Sequence, residues 1–531
     1  MNKKTVLILL ILIIILGGAL RLIGTDFGLP YYPNPDEAFF VNPSFNILAL
    51  KTPGWYGAPG TTNIYLDSII LFVVGNVLDH DTSILTQYQA DPTLFMLIAR
   101  IIYALIGTAS IFLIYWLSQK LFKKYTLSLL ATLGLSLSVL HVEHSHYIRP
   151  DILMTFFILL TALFSIYIWQ TGKLKHYILA GIMLALAVAT KYPAILAIIF
   201  ILTGHYLYCK ENKQKFFNKK IILAGIISLA SFLIIFPYIL IDAKTVFNNL
   251  LWESRSEHAG ADSLGFFGNF EFYIQGSLWY AGTFIFIASI IGAIYAFIKR
   301  RKEILFLGSF ILLFIIFISA LSLHWDRWLL PILPFSLILS ALGIYQTFIY
   351  LRKKISRKLK TTNKYFYGIL TIICLLIIFY PAALRSIRQT NNFYQVDTQE
   401  IAREWIITNL PREARVVYED YTPKVDDYFA YAEHSWTSSL KFPGYWKNDK
   451  NLDYQIVSSL MYERILAGPA DRQYYKDSYD RLFETKELIY EIKPKFTRED
   501  YLEKNDFELL FSKNIFNFKS QAGPTLKIYQ L

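Results

Sequence analysis

From residue 6 to residue 381 the chain alternates long apolar runs with short stretches rich in lysine and arginine. The runs lie at 6–23, 93–117, 127–140, 152–169, 177–190, 194–208, 221–241, 277–298, 304–321, 328–350 and 365–381. About 20 helical residues cross the hydrocarbon core of a bilayer, so the pattern predicts about eleven transmembrane helices. The basic loops around Lys123, Lys173, Lys213, Arg300 and Arg352 then all fall on one side, which assigns that side to the cytoplasm. Reading 177–208 as a single span would reverse everything after it and break this charge pattern.

Lys3 and Lys4 precede the first run, and Arg21-Leu22 follows it without a small-x-small cleavage site. An uncleaved first span is therefore expected in place of a signal peptide. Two outer loops are long, about 24–91 and 242–275. Within the first, residues 63–77 are apolar but short and carry Asp67, which predicts a helix lying in the interface. Beyond 381 hydropathy falls and charge rises. There a helix at 400–409, stopped by Pro411, and strands at 415–418, 488–492, 507–511 and 526–529 predict a small extracytoplasmic α/β domain. The expected fold is mainly α: a polytopic transmembrane bundle over 1–381, followed by that α/β domain over 382–531.

Composition sharpens this picture in two ways. The chain has 531 residues, 54% of them hydrophobic and only 17% charged, with a mean hydropathy of +0.38, values rare in a soluble protein. Its net charge of +12 sits in loops between apolar runs, so it orients the helices and does not point to a nucleic acid partner. Cys209 and Cys374 fall at a cytoplasmic helix end and inside a span, which predicts no disulfide.

Four outer segments hold charged residues at helix ends: Pro35-Asp36-Glu37, His141 through Asp151, Lys191, and His324 through Arg327. Ionisable groups so close to a bilayer are costly, and are paired or functional. A carboxylate such as Asp36, with Glu37 beside it, suits a general base taking a hydroxyl proton; a turn carboxylate is the plain alternative. Arg149 suits phosphate, oriented by Asp151; a structural ion pair or an arginine reaching the lipid headgroups is the alternative. Lys191 and Arg327 add cations on the side that the positive-inside rule depletes, which points to an anionic ligand. His141, His144 and His146 lack a metal-site spacing, so no metal is expected. Glu253, Arg255, Glu257, His258 and Asp262, in the second outer loop, read as solvated loop residues.

These segments together resemble the polyprenyl-phosphate-sugar-dependent glycosyltransferases of the GT-C fold, in the branch of protein O-mannosyltransferases and lipid A aminoarabinose transferases. The resemblance rests on Tyr32-Pro33-Asn34-Pro35-Asp36-Glu37-Ala38, His146-Tyr147-Ile148-Arg149-Pro150-Asp151, Thr190-Lys191-Tyr192-Pro193-Ala194 and Asp326-Arg327-Trp328-Leu329-Leu330-Pro331, in the family's order. Trp328 stands where relatives often have Tyr. The resemblance implies that Asp36, with Glu37, serves as base or positions the acceptor. It implies that Arg149, Lys191 and Arg327 hold the lipid-linked phosphate, with Asp151, His146 and His324 in support. No cofactor is implied. The implied partners are a polyprenyl-phosphate-sugar donor and a glycan, lipid or protein acceptor within a bilayer. Two other functions share these features. A transporter or flippase of lipid-linked sugars would place its site near the midplane, often between inverted repeats. A glycan polymerase or ligase would share the donor.

Overall fold

Most of the apolar runs become helices packed side by side in a computed structural model. It describes residues 2–31, 34–57, 60–253, 264–359, 363–435, 452–468, 473–495, 502–511 and 522–531. Tyr32, Pro33, Arg255, Glu257, His258 and Asp262 lie outside the described residues. Among those described, eight helices are long and apolar enough to cross a membrane, nine if one bent pair counts as a single span. Tyr125–Ser136 and Leu174–Thr190 are apolar but shorter. The chain thus has the architecture of a multi-pass membrane protein.

Pro150–Thr171 sits at the centre, packed against Thr93–Phe122, Leu174–Thr190 and Ile198–Glu211. Ile114, Leu135, Ile158, Ala162, Phe200, Phe310 and Phe335 are fully buried in one shared core. Lipid tails are as apolar as leucine, so close packing drives helix association within a bilayer. Gly292 and Gly343 show this: they bring Thr283–Ile298 and Leu333–Leu359 together, where a side chain at either would strike the opposite backbone.

Several expectations need correction. Residues 63–77, expected in the interface, belong to Thr61–Leu78, a helix long and apolar enough to span, with Asp67 turned inward and 1% exposed. The run expected to cross at 277–298 is broken. Gly265–Ala281 and Thr283–Ile298 meet at 113°, because Gly282 adopts φ +90°, open to glycine and strained for other residues. The last apolar run does not stop at 381; its helix continues through Pro381 to Tyr394.

The C-terminal region forms a five-stranded sheet in the order β2-β1-β3-β5-β4: β1 Arg415–Glu419, β2 Tyr431–Ser435, β3 Tyr454–Ser458, β4 Glu487–Ile492 and β5 Leu526–Gln530. β1 runs parallel to β2 and β3, and β5 antiparallel to β3 and β4. Thr398–Asn409 is helical around the expected 400–409. The strand expected at 507–511 is a helix, Asp506–Phe511. The Asn505 side chain accepts from the Glu508 N–H at 3.0 Å and donates to its carboxylate at 2.6 Å, a reciprocal cap that favours the helix.

This region is tied to the membrane part. Arg385, 1% exposed, pairs with Asp506 at 2.8 Å and donates to the Lys504 carbonyl at 2.7 Å. Asp506 also accepts from the Phe284 N–H at 2.9 Å, just past the bend at Gly282. The Arg403 guanidinium lies 4.0 Å from the Tyr31 ring centroid.

Candidate functional site

Asp36 owes its position to a helix start. Asn34 precedes Pro35–Leu48, Pro35 supplies the fixed φ suited to a first turn, and the Asn34 side chain accepts from the Asp36 N–H at 3.1 Å. The same Asn34 oxygen accepts from Arg149 at 2.7 Å, and Arg149 pairs with the Asp36 carboxylate at 2.7 Å. Arg149 is itself an extended N-cap before Pro150. Two proline-started helices from distant parts of the chain thus meet through one asparagine.

Arg327 arrives from a third segment, the 3-10 turn Asp326–Leu329, and its guanidinium lies 3.7 Å from Asp36. Tyr280, next to the bend, donates a short hydrogen bond to Asp326. Asp151, 2% exposed, pairs with Lys191 at 2.8 Å, where Leu174–Thr190 gives way to the 3-10 turn Tyr192–Ala197. Of the two aspartates, Asp36 is the open one, at 30%. Burial pushes the Asp36 pKa up, but Arg149 and then Arg327 outweigh it and hold the carboxyl below its ordinary value. The carboxylate is therefore ionised at neutral pH.

The structure thus brings Asp36, Arg149, Asp151, Lys191 and Arg327 into one cluster. It sets three of the expected residues apart. Glu37 faces the opposite way, fully buried, with Arg100 bonding both its oxygens at 3.0 and 2.7 Å and the Ile148 N–H donating to it at 3.1 Å. Arg100 also donates to the carbonyls of Thr25 and Phe27. This buried pair therefore clamps the first outer loop to the turn before Arg149, and points away from the cluster around Asp36. His146 sets one ring nitrogen near each of the carbonyls of Val142 and Ile23, donating to one of them, and stacks on Phe393 at 4.1 Å. Burial pushes its pKa down to about 4, so the ring is neutral. His324 packs on Phe272 at 4.3 Å. His146 is thus engaged away from Asp36. Among the described residues no three His, Cys, Asp or Glu side chains are grouped to hold a metal ion.

Three contributors escape the sequence reading. Arg100 lies inside an apolar run, and an arginine there is itself the signal of a buried partner. Arg464 and Tyr421 come from the C-terminal region, and no local pattern links them to a membrane site. Both act electrostatically on Asp36 or its surroundings.

Comparison with known proteins agrees with this architecture. Residues 95–240, which include Arg149, Asp151 and Lys191, match the family described as dolichyl-phosphate-mannose-protein mannosyltransferase. The fold is similar to that of the archaeal oligosaccharyltransferase AglB from Archaeoglobus fulgidus, solved with an inhibitory peptide and a dolichol-phosphate. That similarity has a TM-score of 0.57 at 13% identity and covers 99% of this chain and 88% of that one. It is similar too to ArnT from Cupriavidus metallidurans in the apo state, with a TM-score of 0.54 at 12% identity, covering 99% of this chain and 98% of that one. No curated protein matches the chain. The chain has the GT-C fold, and the matches support a glycosyltransferase-type membrane protein.

Proposed function

We propose that this protein transfers a sugar from a polyprenyl-phosphate-linked donor to an acceptor hydroxyl on the non-cytoplasmic face of the membrane. The observation that carries this reading is an ionised, partly open carboxylate, Asp36, held between Arg149 and Arg327 at helix ends, with Lys191 close by. A polyprenyl-phosphate sugar reaches such a site within the membrane, and guanidiniums suit its phosphate. The side is assigned by the basic loops.

The acceptor oxygen attacks the anomeric carbon while the bond from that carbon to the phosphate oxygen breaks. Asp36 receives the hydroxyl proton, and the polyprenyl phosphate leaves with the bonding pair. Arg149 and Arg327 favour this most at the transition state, where the leaving phosphate gains charge. The donor phosphate also draws both arginines from Asp36, which makes that carboxylate a better proton acceptor when substrate is bound. A single base with no covalent nucleophile gives inversion.

The test is to incubate membranes containing the protein with radiolabelled polyprenyl-phosphate hexoses and pentoses and to follow label into protein, glycolipid and polysaccharide fractions. Label should enter one fraction, and Asp36→Asn should abolish it while leaving a folded, inserted protein. Turnover by that variant at the wild-type rate would remove Asp36 from its role. No transfer from any such donor by the wild type would overturn the function.

A further inference from the structure

The C-terminal domain turns the end of its sheet toward this site. Along the chain, β1 is followed by β2 on one flank and then by β3 on the other, so the chain reverses direction between β1 and β3. Parallel α/β sheets bind ligands at such a reversal, beyond the carboxyl ends of the strands. Two residues past β1 stands Tyr421, with φ +61°, a conformation costly for a bulky side chain and concentrated at functional sites. Six residues past β3, on the helix Ser459–Leu466, stands Arg464.

Both residues reach the membrane cluster. The Arg464 guanidinium lies 5.1 Å from the Trp325 ring centroid and 5.6 Å from that of Tyr421. The Arg327 guanidinium lies 4.9 Å from the same Trp325 ring. One indole therefore holds an arginine from each part of the protein. Arg464 also acts on Asp36 electrostatically, as Arg149 and Arg327 do. Among the described residues Arg464 forms no ion pair with a carboxylate. Arg149, Lys191, Arg327 and Arg464 thus face Asp36, Asp151 and Asp326, an excess of positive charge that an anion would balance.

We infer that Arg464, carried by the C-terminal domain and placed beside Arg327 by Trp325, is a ligand of the donor phosphate. The phosphate site is then complete only when that domain lies over the membrane part. This inference rests on the function proposed above. It adds that the domain takes part in holding the donor.

The experiment measures binding of radiolabelled farnesyl phosphate to the purified full-length protein in detergent, for the wild type, Arg464→Ala and Arg464→Lys, with melting temperatures alongside. Charged hydrogen bonds of this kind correspond to an affinity loss of roughly ten- to hundredfold for Arg464→Ala. Arg464→Lys should recover part of it, and the wild-type affinity should fall more steeply with salt than that of Arg464→Ala. Wild-type affinity in Arg464→Ala would overturn the inference while leaving the function standing, including the case where only transfer to the acceptor is impaired. A loss that Arg464→Lys does not relieve and that tracks a falling melting temperature would also overturn it, as a packing role. Failure of the wild type to bind farnesyl phosphate would overturn the proposed function and this inference together.

Discussion

Asp36 and Glu37 are neighbours in sequence and opposites in structure. Successive helical residues point about 100° apart, and here that rotation separates a 30% exposed carboxylate from one with no exposure at all. Each is matched to arginine. Asp36 shares Arg149 and Arg327, at 2.7 and 3.7 Å, in a partly open arrangement. Glu37 and Arg100 close on each other and on backbone groups, leaving no room for a ligand. An acidic pair beside a membrane thus divides into one partly open carboxylate and one sealed inside the protein.

Substitution should expose that division. The largest expected effect is on transfer by Asp36→Asn, a drop of about 10²–10⁴-fold, the usual worth of a positioned base, with little change in melting temperature. Transfer assays beside thermal melts measure both. Glu37→Gln should do the reverse, destabilising the fold by about 3–5 kcal/mol, because it strands the Arg100 charge in the interior. A stable but inactive Glu37→Gln would erase the distinction between the two carboxylates. The double replacement Glu37→Leu with Arg100→Met should recover much of that loss, since a buried ion pair is often replaced by apolar groups without penalty.

Arg327→Ala should weaken donor binding by roughly tenfold or more, read by titration with a short-chain polyprenyl phosphate. Unchanged affinity would detach Arg327 from the phosphate. The smallest effect concerns pH. The Asp36 pKa lies below its ordinary value, so activity should persist as pH falls and be lost only when the carboxylate protonates. Arg149→Met removes the largest of the attractions that oppose burial, so the acidic limb of the rate profile should move to higher pH. A limb that stays in place would mean another group titrates there.

The same contrast explains what could be read from the chain alone. Arg149, Lys191 and Arg327 are legible because each is a cation at the end of an apolar run on the side that the basic loops leave poor in cations. Glu37 reads like Asp36 because adjacency in sequence does not tell which face a residue takes until the helix phase is fixed. Arg100 is hidden within its apolar run. The strand expected at 507–511 came from its apolar character, whereas the Asn505 cap decided for a helix. The approach of Arg464 to Trp325 joins residues more than a hundred positions apart, for which local pattern carries no signal.

The pair between Arg385 and Asp506 has a last implication. On paper the chain divides neatly after the helix that ends at Tyr394, yet each piece would then keep one half of a sealed charge pair, both members 1% exposed. Severing it strands a guanidinium on one fragment and a carboxylate on the other, and removes the acceptor of the Phe284 amide at the bend. Each piece should therefore be less stable when produced without the other, which thermal melts of the separate fragments would measure.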